Sequence, residues 1–313
     1  MPPPSPCRNC RLTTTWVRTH PRDEPMRTTQ WYLGTMGFSF PDWGRSFYPG
    51  RIGAAGRLGW YARQFNAVEL DTTFHAIPGR ERAAAWASAV PDGFRFSARA
   101  PKSLTHGELR LDGPVARRTI DRLLAALAPL GQRLGVILLQ FPPGFRASRI
   151  GELEALVAGL PAGTWRYAVE LRHADWWQTT TAELLSEHGI AWVTADEPDR
   201  GTAGLPPGRV GPGGYQPRMA ARTADFVYLR WLGRHDQFPD LGREYLDPDP
   251  RLDWWRRHLE QSLERQPAPG GVYGFFNNGF AGHAPASCRR FQALIRGDGT
   301  AREPPVRQPG LFD

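Results

Sequence analysis

Short apolar runs bounded by glycine, proline or polar clusters recur along the whole chain, and eight of them have the length and residue content of strands. They are Trp31 to Met36, Ala67 to Thr73, Phe94 to Ala100, Gly135 to Phe141, Arg166 to Arg172, Ile190 to Asp196, Phe226 to Trp231 and Gly271 to Phe276. Their starts advance from residue 31 to residue 271 in seven steps of about 34 residues, the length of one strand-plus-helix unit.

Between the runs the period changes. Apolar positions three and four residues apart predict helices over Val115 to Leu130, Ile150 to Leu160, Thr179 to His188 and Leu252 to Arg265, and Arg80 to Ala89 is rich in alanine. Strands that alternate with helices pair in parallel, because each crossover needs a helix to cover the sheet. Eight such units predict an α/β fold, a single-domain (β/α)8 TIM-type barrel over residues 29–297. The sixth helix is missing from the pattern: Pro198 to Arg222 is rich in glycine and proline, which predicts a long loop on the upper rim and a candidate lid. Residues 1–28, with Pro2, Pro3, Pro4 and Pro6, read as a disordered leader, and residues 298–313 as a flexible tail.

Composition adds three constraints. The 41% of hydrophobic and 22% of charged residues suit a globular protein with a sizeable core. There is no run of 18 apolar residues to span a membrane and no basic-then-apolar secretion signal, so the chain is expected to be a cytoplasmic monomer without a membrane partner. Cys7 and Cys10 have the spacing of half a zinc or redox site, with His20 nearby, but Cys288 is the sole remaining cysteine and completes no second half. The formal charge is +8, and every basic residue except Lys102 is arginine, which favours anionic partners: a phosphate-bearing small molecule or nucleic acid.

In a closed barrel the loops after the strands converge on the axis, so residues at the carboxyl ends of strands are the candidates for chemistry. The second run ends in Glu69, Asp71 and Thr73, spaced by two and hence expected on one face, with His75 just beyond. The fifth carries Glu170, Arg172 and His173, the third Arg95, Ser97 and Arg99, and the fourth Gln140. Asp196, Arg230, Asn277 and Asn278 close the sixth, seventh and eighth. Paired carboxylates divide acid and base work when their surroundings separate their proton affinities. Arginine forks grip phosphate through parallel hydrogen bonds. Glu69, Asp71, Glu170 and Asp196, with His75 or His173, also form a donor set suited to a hard divalent cation such as Mg²⁺ or Mn²⁺. The alternative, less favoured because the charges cluster at the end where function is expected, is that they pair with one another and close the barrel top. Trp43, Phe47, Tyr48, Trp176, Trp177, Trp231, Trp254 and Trp255 lie near predicted loops or helix starts, where they either stack on a base or sugar or pack into the core. Zinc-protease, phosphate-loop, nucleophile-elbow and dinucleotide motifs are absent.

Several segments stand out together: Gly34-Thr35 with Trp43 and Phe47-Tyr48-Pro49, Phe65-Asn66-Ala67-Val68-Glu69, Ala100-Pro101 with Thr105-His106, Gln140-Phe141-Pro142-Pro143, Glu170-Leu171-Arg172-His173 with Trp176, Phe276-Asn277-Asn278, and Gly282-His283-Ala284. Through them, from about Trp31 to Ile295, the chain resembles the domain of unknown function 72 family, the YecE-like proteins. The resemblance implies a barrel with a pocket at the carboxyl rim, similar in fold to endonuclease-type repair barrels and sugar-isomerase-like barrels, and it brings no assigned activity. The chain departs from the family pattern with Asp71 for Asn, His75 for Tyr, Arg99 for Lys and Leu232 for His. Arg99 does not lose its proton, which excludes Schiff-base chemistry at that position.

The leading expectation is an enzyme, a hydrolase or isomerase, acting on an anionic phosphate-bearing substrate. Glu69 and Glu170, with Asp71 and His173, are its catalytic candidates. Arg99, Arg172 and Arg230 would hold the anion, with Gln140, Asp196, Asn277, Asn278, His75 and Trp43 completing the substrate site. The alternatives are a nucleic-acid binding or DNA-repair protein of endonuclease-like barrel type and a non-catalytic binding protein.

Overall fold

All eight apolar runs form strands, and all of them pair in parallel. In this computed structural model, residues 29–50, 52–107, 110–161, 163–196, 219–233, 237–264 and 269–297 are described. The strands are β1 (Trp31–Met36), β2 (Ala67–Leu70), β3 (Arg95–Arg99), β4 (Leu134–Gln140), β5 (Arg166–Glu170), β6 (Ala191–Trp192), β7 (Thr194–Asp196), β8 (Val227–Trp231) and β9 (Val272–Phe276). Their order is β6-β5-β4-β3-β2-β1-β9-β8-β7. β6 and β7 are the two halves of the sixth run, parted at Val193. The first half pairs with β5 and the second with β8, so one segment closes the ring from both sides.

The break has a visible cause. Thr223 Oγ accepts the Trp192 N–H at 2.8 Å and donates to the Ile190 carbonyl at 2.6 Å, and Thr194 Oγ accepts the Ala220 N–H at 3.0 Å. Side chains thus satisfy backbone groups that a regular ladder would have used.

Helices cover the outside of the ring much as their apolar periods predict: Arg80–Ser88, Pro114–Leu127, Ile150–Ala158, Thr179–Glu187 and Asp249–Glu264, joined by Arg57–Tyr61 and Ala284–Arg296. The predicted helix to Leu130 leaves α geometry at Leu127 and ends in a 3-10 segment through Gly131, whose φ of 53° suits glycine. Of the predicted rim loop, residues 198–218 lie outside the described residues, as do the leader with Cys7, Cys10 and His20 and the tail from residue 298. Among the described residues no helix is long and apolar enough to cross a membrane.

Two apolar layers result. Met36, Val136, Leu138, Ala168, Tyr228 and Phe275 belong to the cluster inside the ring, and a larger cluster lies between strands and helices, where Trp231 stacks on Phe276 and packs against Phe291. Gly34 sits where β1 approaches β2 closely. A Cβ there would stand 1.8 Å from the Ala67 carbonyl oxygen, and the space is used by the Tyr61 hydroxyl, which accepts from Thr35 N–H at 2.8 Å and donates to Ala67 at 3.0 Å.

One expectation about the second strand needs correction. β2 stops at Leu70, Asp71 has φ −74° and ψ −26°, and Thr72–His75 is a helical turn, so Glu69, Asp71 and Thr73 do not alternate on one face. Thr73 turns back to donate to the Leu70 carbonyl at 2.8 Å and is buried there.

Candidate functional site

Period-two alternation on β2, β5 and β8 directs Glu69, Glu170 and Arg230 into the ring near the carboxyl ends of the strands. Arg230 is buried at the centre. Its Nη2 and Nε donate to the two oxygens of Glu69 at 2.7 and 3.0 Å, and its Nη1 donates to Glu170 Oε2 at 2.5 Å and more weakly to Gln140 Oε1 at 3.4 Å. The Tyr228 hydroxyl donates to Glu69 Oε2 at 2.8 Å, and Ser97 Oγ lies 2.6 Å from the tyrosine oxygen and 3.0 Å from the Val136 carbonyl oxygen. Tyr228 stands two residues before Arg230 on the same strand face, which is why both reach one carboxylate.

Above this layer the groups become partly exposed. Arg172 Nε donates to Glu170 Oε1 at 2.6 Å, and Arg99 donates to Asp71 Oδ1 at 2.8 Å and also to Gln140 Oε1. The Arg99 guanidinium lies 4.0 Å from the Phe74 ring centroid. Asp71, Arg99, Gln140, Arg230, Glu69, Glu170 and Arg172 therefore form one connected network of three carboxylates, three guanidiniums and an amide.

The two buried glutamates are driven apart. Burial pushes the Glu69 carboxyl up, and Asp71 adds to the rise, so that Arg230 and Arg99 do not bring it back to the ordinary value. Burial pushes Glu170 up as well, but the Arg230 and Arg172 guanidiniums together outweigh it and hold its pKa at about 2. One carboxyl thus has a raised and the other a lowered proton affinity, with one guanidinium between them.

At the mouth stands a residue that was not among the site candidates. His106 follows the Lys102–Thr105 helical turn after β3, with Nδ1 2.9 Å from Thr105 Oγ and its ring edge against Phe74 at 5.0 Å. Partial burial, then the charges of Arg172, Arg99 and Lys102, lower its pKa to about 4, so it is neutral at pH 7. Its only signal in the sequence is the Thr105-His106 segment, which lies beyond the strand end and hence outside a search of strand ends. Tyr228 escaped notice too, because a tyrosine in an apolar strand reads as core.

Other predicted site residues are placed elsewhere. Asp196 faces outward: Arg251 holds both its oxygens, Nε at 2.8 Å from Oδ2, and the Trp255 indole N–H donates to it at 2.6 Å, so it anchors the Asp249–Glu264 helix. Its register partner across the ladder is Trp231, which also faces the helices. His173 is buried, with Nδ1 3.2 Å from the Asp175 backbone nitrogen and 2.8 Å from its carboxylate, capping the turn after β5. Trp43 is fully buried and donates to Asn278 Oδ1 at 3.2 Å, the same oxygen that accepts the Ala284 N–H. Asn277 Oδ1 caps Gly279, while its Nδ2 points to Met36 Sδ beside the network. His75 is exposed on the turn after β2. Trp176, Trp231 and Trp255 are also fully buried, which takes them out of any stacking surface.

The expected cation donors do not gather: among the described residues no three of His, Cys, Asp and Glu come together as a metal site. Arg230 occupies the space between Glu69 and Glu170, and Asp196 points the other way.

Comparison with known proteins agrees with the fold. A family model described as "Protein of unknown function DUF72" matches residues 32–309. The chain is similar to the UPF0759 protein YunF of Bacillus subtilis (strain 168), 25% identical over 283 residues that make up 84% of this chain and 94% of that protein. It is also similar to the UPF0759 protein YecE of Escherichia coli (strain K12), 31% identical over 163 residues, 51% of this chain and 54% of that protein. Among solved structures, a DUF72 family protein from Thermotoga maritima superposes with a TM-score of 0.68 at 29% identity, covering 85% of this chain and 99% of the other. A DUF72 family protein from Enterococcus faecalis V583 superposes with a TM-score of 0.64 at 22% identity, covering 86% and 98%.

Proposed function

Since the chain belongs to the DUF72 family, whose description assigns no reaction, we propose from its own geometry that it binds a small phosphate-bearing anion at the carboxyl rim and transfers protons on it. The observation that carries this reading is the stacking of two layers. Two buried glutamates of opposite shift share Arg230, and directly above them Arg99, Lys102 and Arg172 bring positive charge to a neutral histidine.

Arg230 is committed to the two carboxylates and does not hold the anion. Arg172 and Arg99 are better suited, since their side chains are 12% and 14% exposed. An anion arriving at Arg172 competes with Glu170 for the same guanidinium. Glu170 then loses a partner, its proton affinity rises from the low value set by two arginines, and it becomes the base. Glu69, with its raised proton affinity, is the acid candidate, wired to Tyr228 and Ser97. His106 supplies a neutral imidazole to orient the ligand. Proton transfer of this kind serves a hydrolase or an isomerase. The full pairing of Glu69 favours a second reading, binding without turnover.

Calorimetric titration with inorganic phosphate and a panel of sugar phosphates tests the site. Arg172→Gln should weaken binding by roughly tenfold or more, as expected for a charge-assisted contact. Glu170→Gln should keep binding and lower any turnover by about a hundredfold or more. An Arg172→Gln protein that binds as tightly as the parent overturns the proposal, and bound ligand without turnover selects the second reading.

A further inference from the structure

Charge is distributed unevenly along this chain: Gly44 to Val68 and Arg265 to Gly297 contain no aspartate or glutamate. The fold brings the far ends of these stretches together, residues 62–66 beside residues 292–296, near the amino ends of β1 and β2 and away from the network described above. Arg289 Nη2 donates to Gln64 Oε1 at 3.0 Å across the contact, and a groove of about 540 Å³ opens beside it, with Arg63, Gln64, Gln292 and Arg296 on its walls and Trp31 and Phe65 among its apolar lining. Among the described residues no acidic one lines it.

Three arginines mark this seam: Arg63, Arg289 and Arg296. Among the described residues none of them has a carboxylate partner, whereas neighbouring Arg290 is paired with Glu244 and Asp249. Two lie over aromatic rings, with the Arg63 guanidinium carbon 4.6 Å from the Trp60 ring centroid and that of Arg289 5.3 Å from the Phe47 centroid. A guanidinium over a ring face makes that contact without using its N–H donors, which suit phosphate oxygens.

The cations are spread out rather than focused on one point. Arg289, Gln292 and Arg296 stand at i, i+3 and i+7 of one helix face, and the two arginines are about 10 Å apart along the axis at 1.5 Å per residue. That span exceeds a single phosphate and suits more than one phosphate along a polymer. A membrane surface fits less well, because the large exposed hydrophobic residues among those described, Val115 and Leu246, are not in this groove to insert into lipid. We infer that the seam between residues 62–66 and Ala284–Arg296 is a docking groove for a nucleic acid strand. The strand is gripped through its phosphates by Arg63, Arg289 and Arg296, with Gln292 placed to meet a base edge.

The test is fluorescence anisotropy of a labelled single-stranded oligonucleotide titrated with the full chain over a range of salt. Arg63→Gln/Arg296→Gln, both exposed positions, should weaken binding by roughly tenfold at low salt and reduce the log–log salt slope by about 1.4, the value for two lost phosphate contacts on a single strand. Arg118→Gln/Arg122→Gln removes equal charge from the Pro114–Leu127 helix and should leave the affinity nearly unchanged. Circular dichroism melts that coincide with the parent show that both variants are folded. Absence of binding at low salt, equal losses in the two variants, or equally tight binding of phosphatidylserine vesicles through Arg63 and Arg296 would each overturn the inference.

Discussion

Replacing Arg230 by methionine removes the shared partner of two buried carboxylates, Glu69 and Glu170, which are 0% and 2% exposed. Breaking a buried ion pair from one side costs about 3–5 kcal/mol, because an uncompensated charge stays behind. For a chain of this size each kcal/mol is worth about 2–4 °C, so a loss of about 4 kcal/mol lowers the melting temperature by roughly 8–16 °C. The pH dependence sharpens the test. In the parent, Glu170 titrates at about 2 against 4.5 unperturbed, and that span is worth about 3 kcal/mol. This stability is fully present above about pH 4.5 and is lost as pH falls toward 2. Glu69, shifted upward, works against part of it. In the variant Glu170 keeps only Arg172 and Glu69 has no direct guanidinium partner, so both proton affinities rise and stability at pH 5 relative to pH 7 should improve over the parent. Adding Glu69→Gln and Glu170→Gln should restore most of the loss. Differential scanning calorimetry at pH 5 and 7 reads all of these. An Arg230→Met protein that melts with the parent at both pH values refutes the assignment of Arg230 as the charge on which the barrel centre depends.

Two further outcomes follow from the same geometry. The His106 ring should remain neutral down to about pH 4 in an NMR titration, and Arg172→Gln should raise its pKa; because its folded value lies below 6.5, its contribution to stability is present above that pH and declines as pH falls toward 4. Asp196→Asn should cost about 2–4 kcal/mol in urea unfolding by weakening the link to Arg251 and Trp255, while leaving phosphate binding at the rim unchanged, since Asp196 faces the helices.

The barrel was legible because its signal is redundant. Apolar runs such as Trp31–Met36 are bounded by turn residues, and the helices between them carry a different period, so errors were confined to ends. Two such errors bear on the site. Glu69, Asp71 and Thr73 alternate in sequence, but a chain turning into helix after Leu70 leaves the two-residue period, and composition does not mark where that happens. Asp196 occupies a strand end like the others, yet the interruption at Val193 and a tryptophan on the facing helix decide its direction. Glu69, Glu170, Arg230, Arg172, Arg99, Asp71 and Gln140 were gathered correctly as neighbours by the rule that strand ends converge. Which of them pair with each other was beyond reach: Arg230 was expected to hold a ligand, and only three-dimensional distances show it held by two glutamates. Local capping took His173 and Asn278 for the backbone, a use that short-range sequence alone does not distinguish from catalysis.

The ion cluster also constrains how the chain can be assembled. Glu69, Glu170 and Arg230 come from the second, fifth and seventh of eight repeats, so no half-barrel contains the complete set. A fragment ending after the fourth repeat holds one acidic group destined for the interior, and one ending after the sixth holds two, still without the central cation. The early repeats therefore have reason to stay loosely docked until the seventh arrives, and a gene split between the fourth and fifth repeats should yield halves that are unstable apart and ordered on mixing.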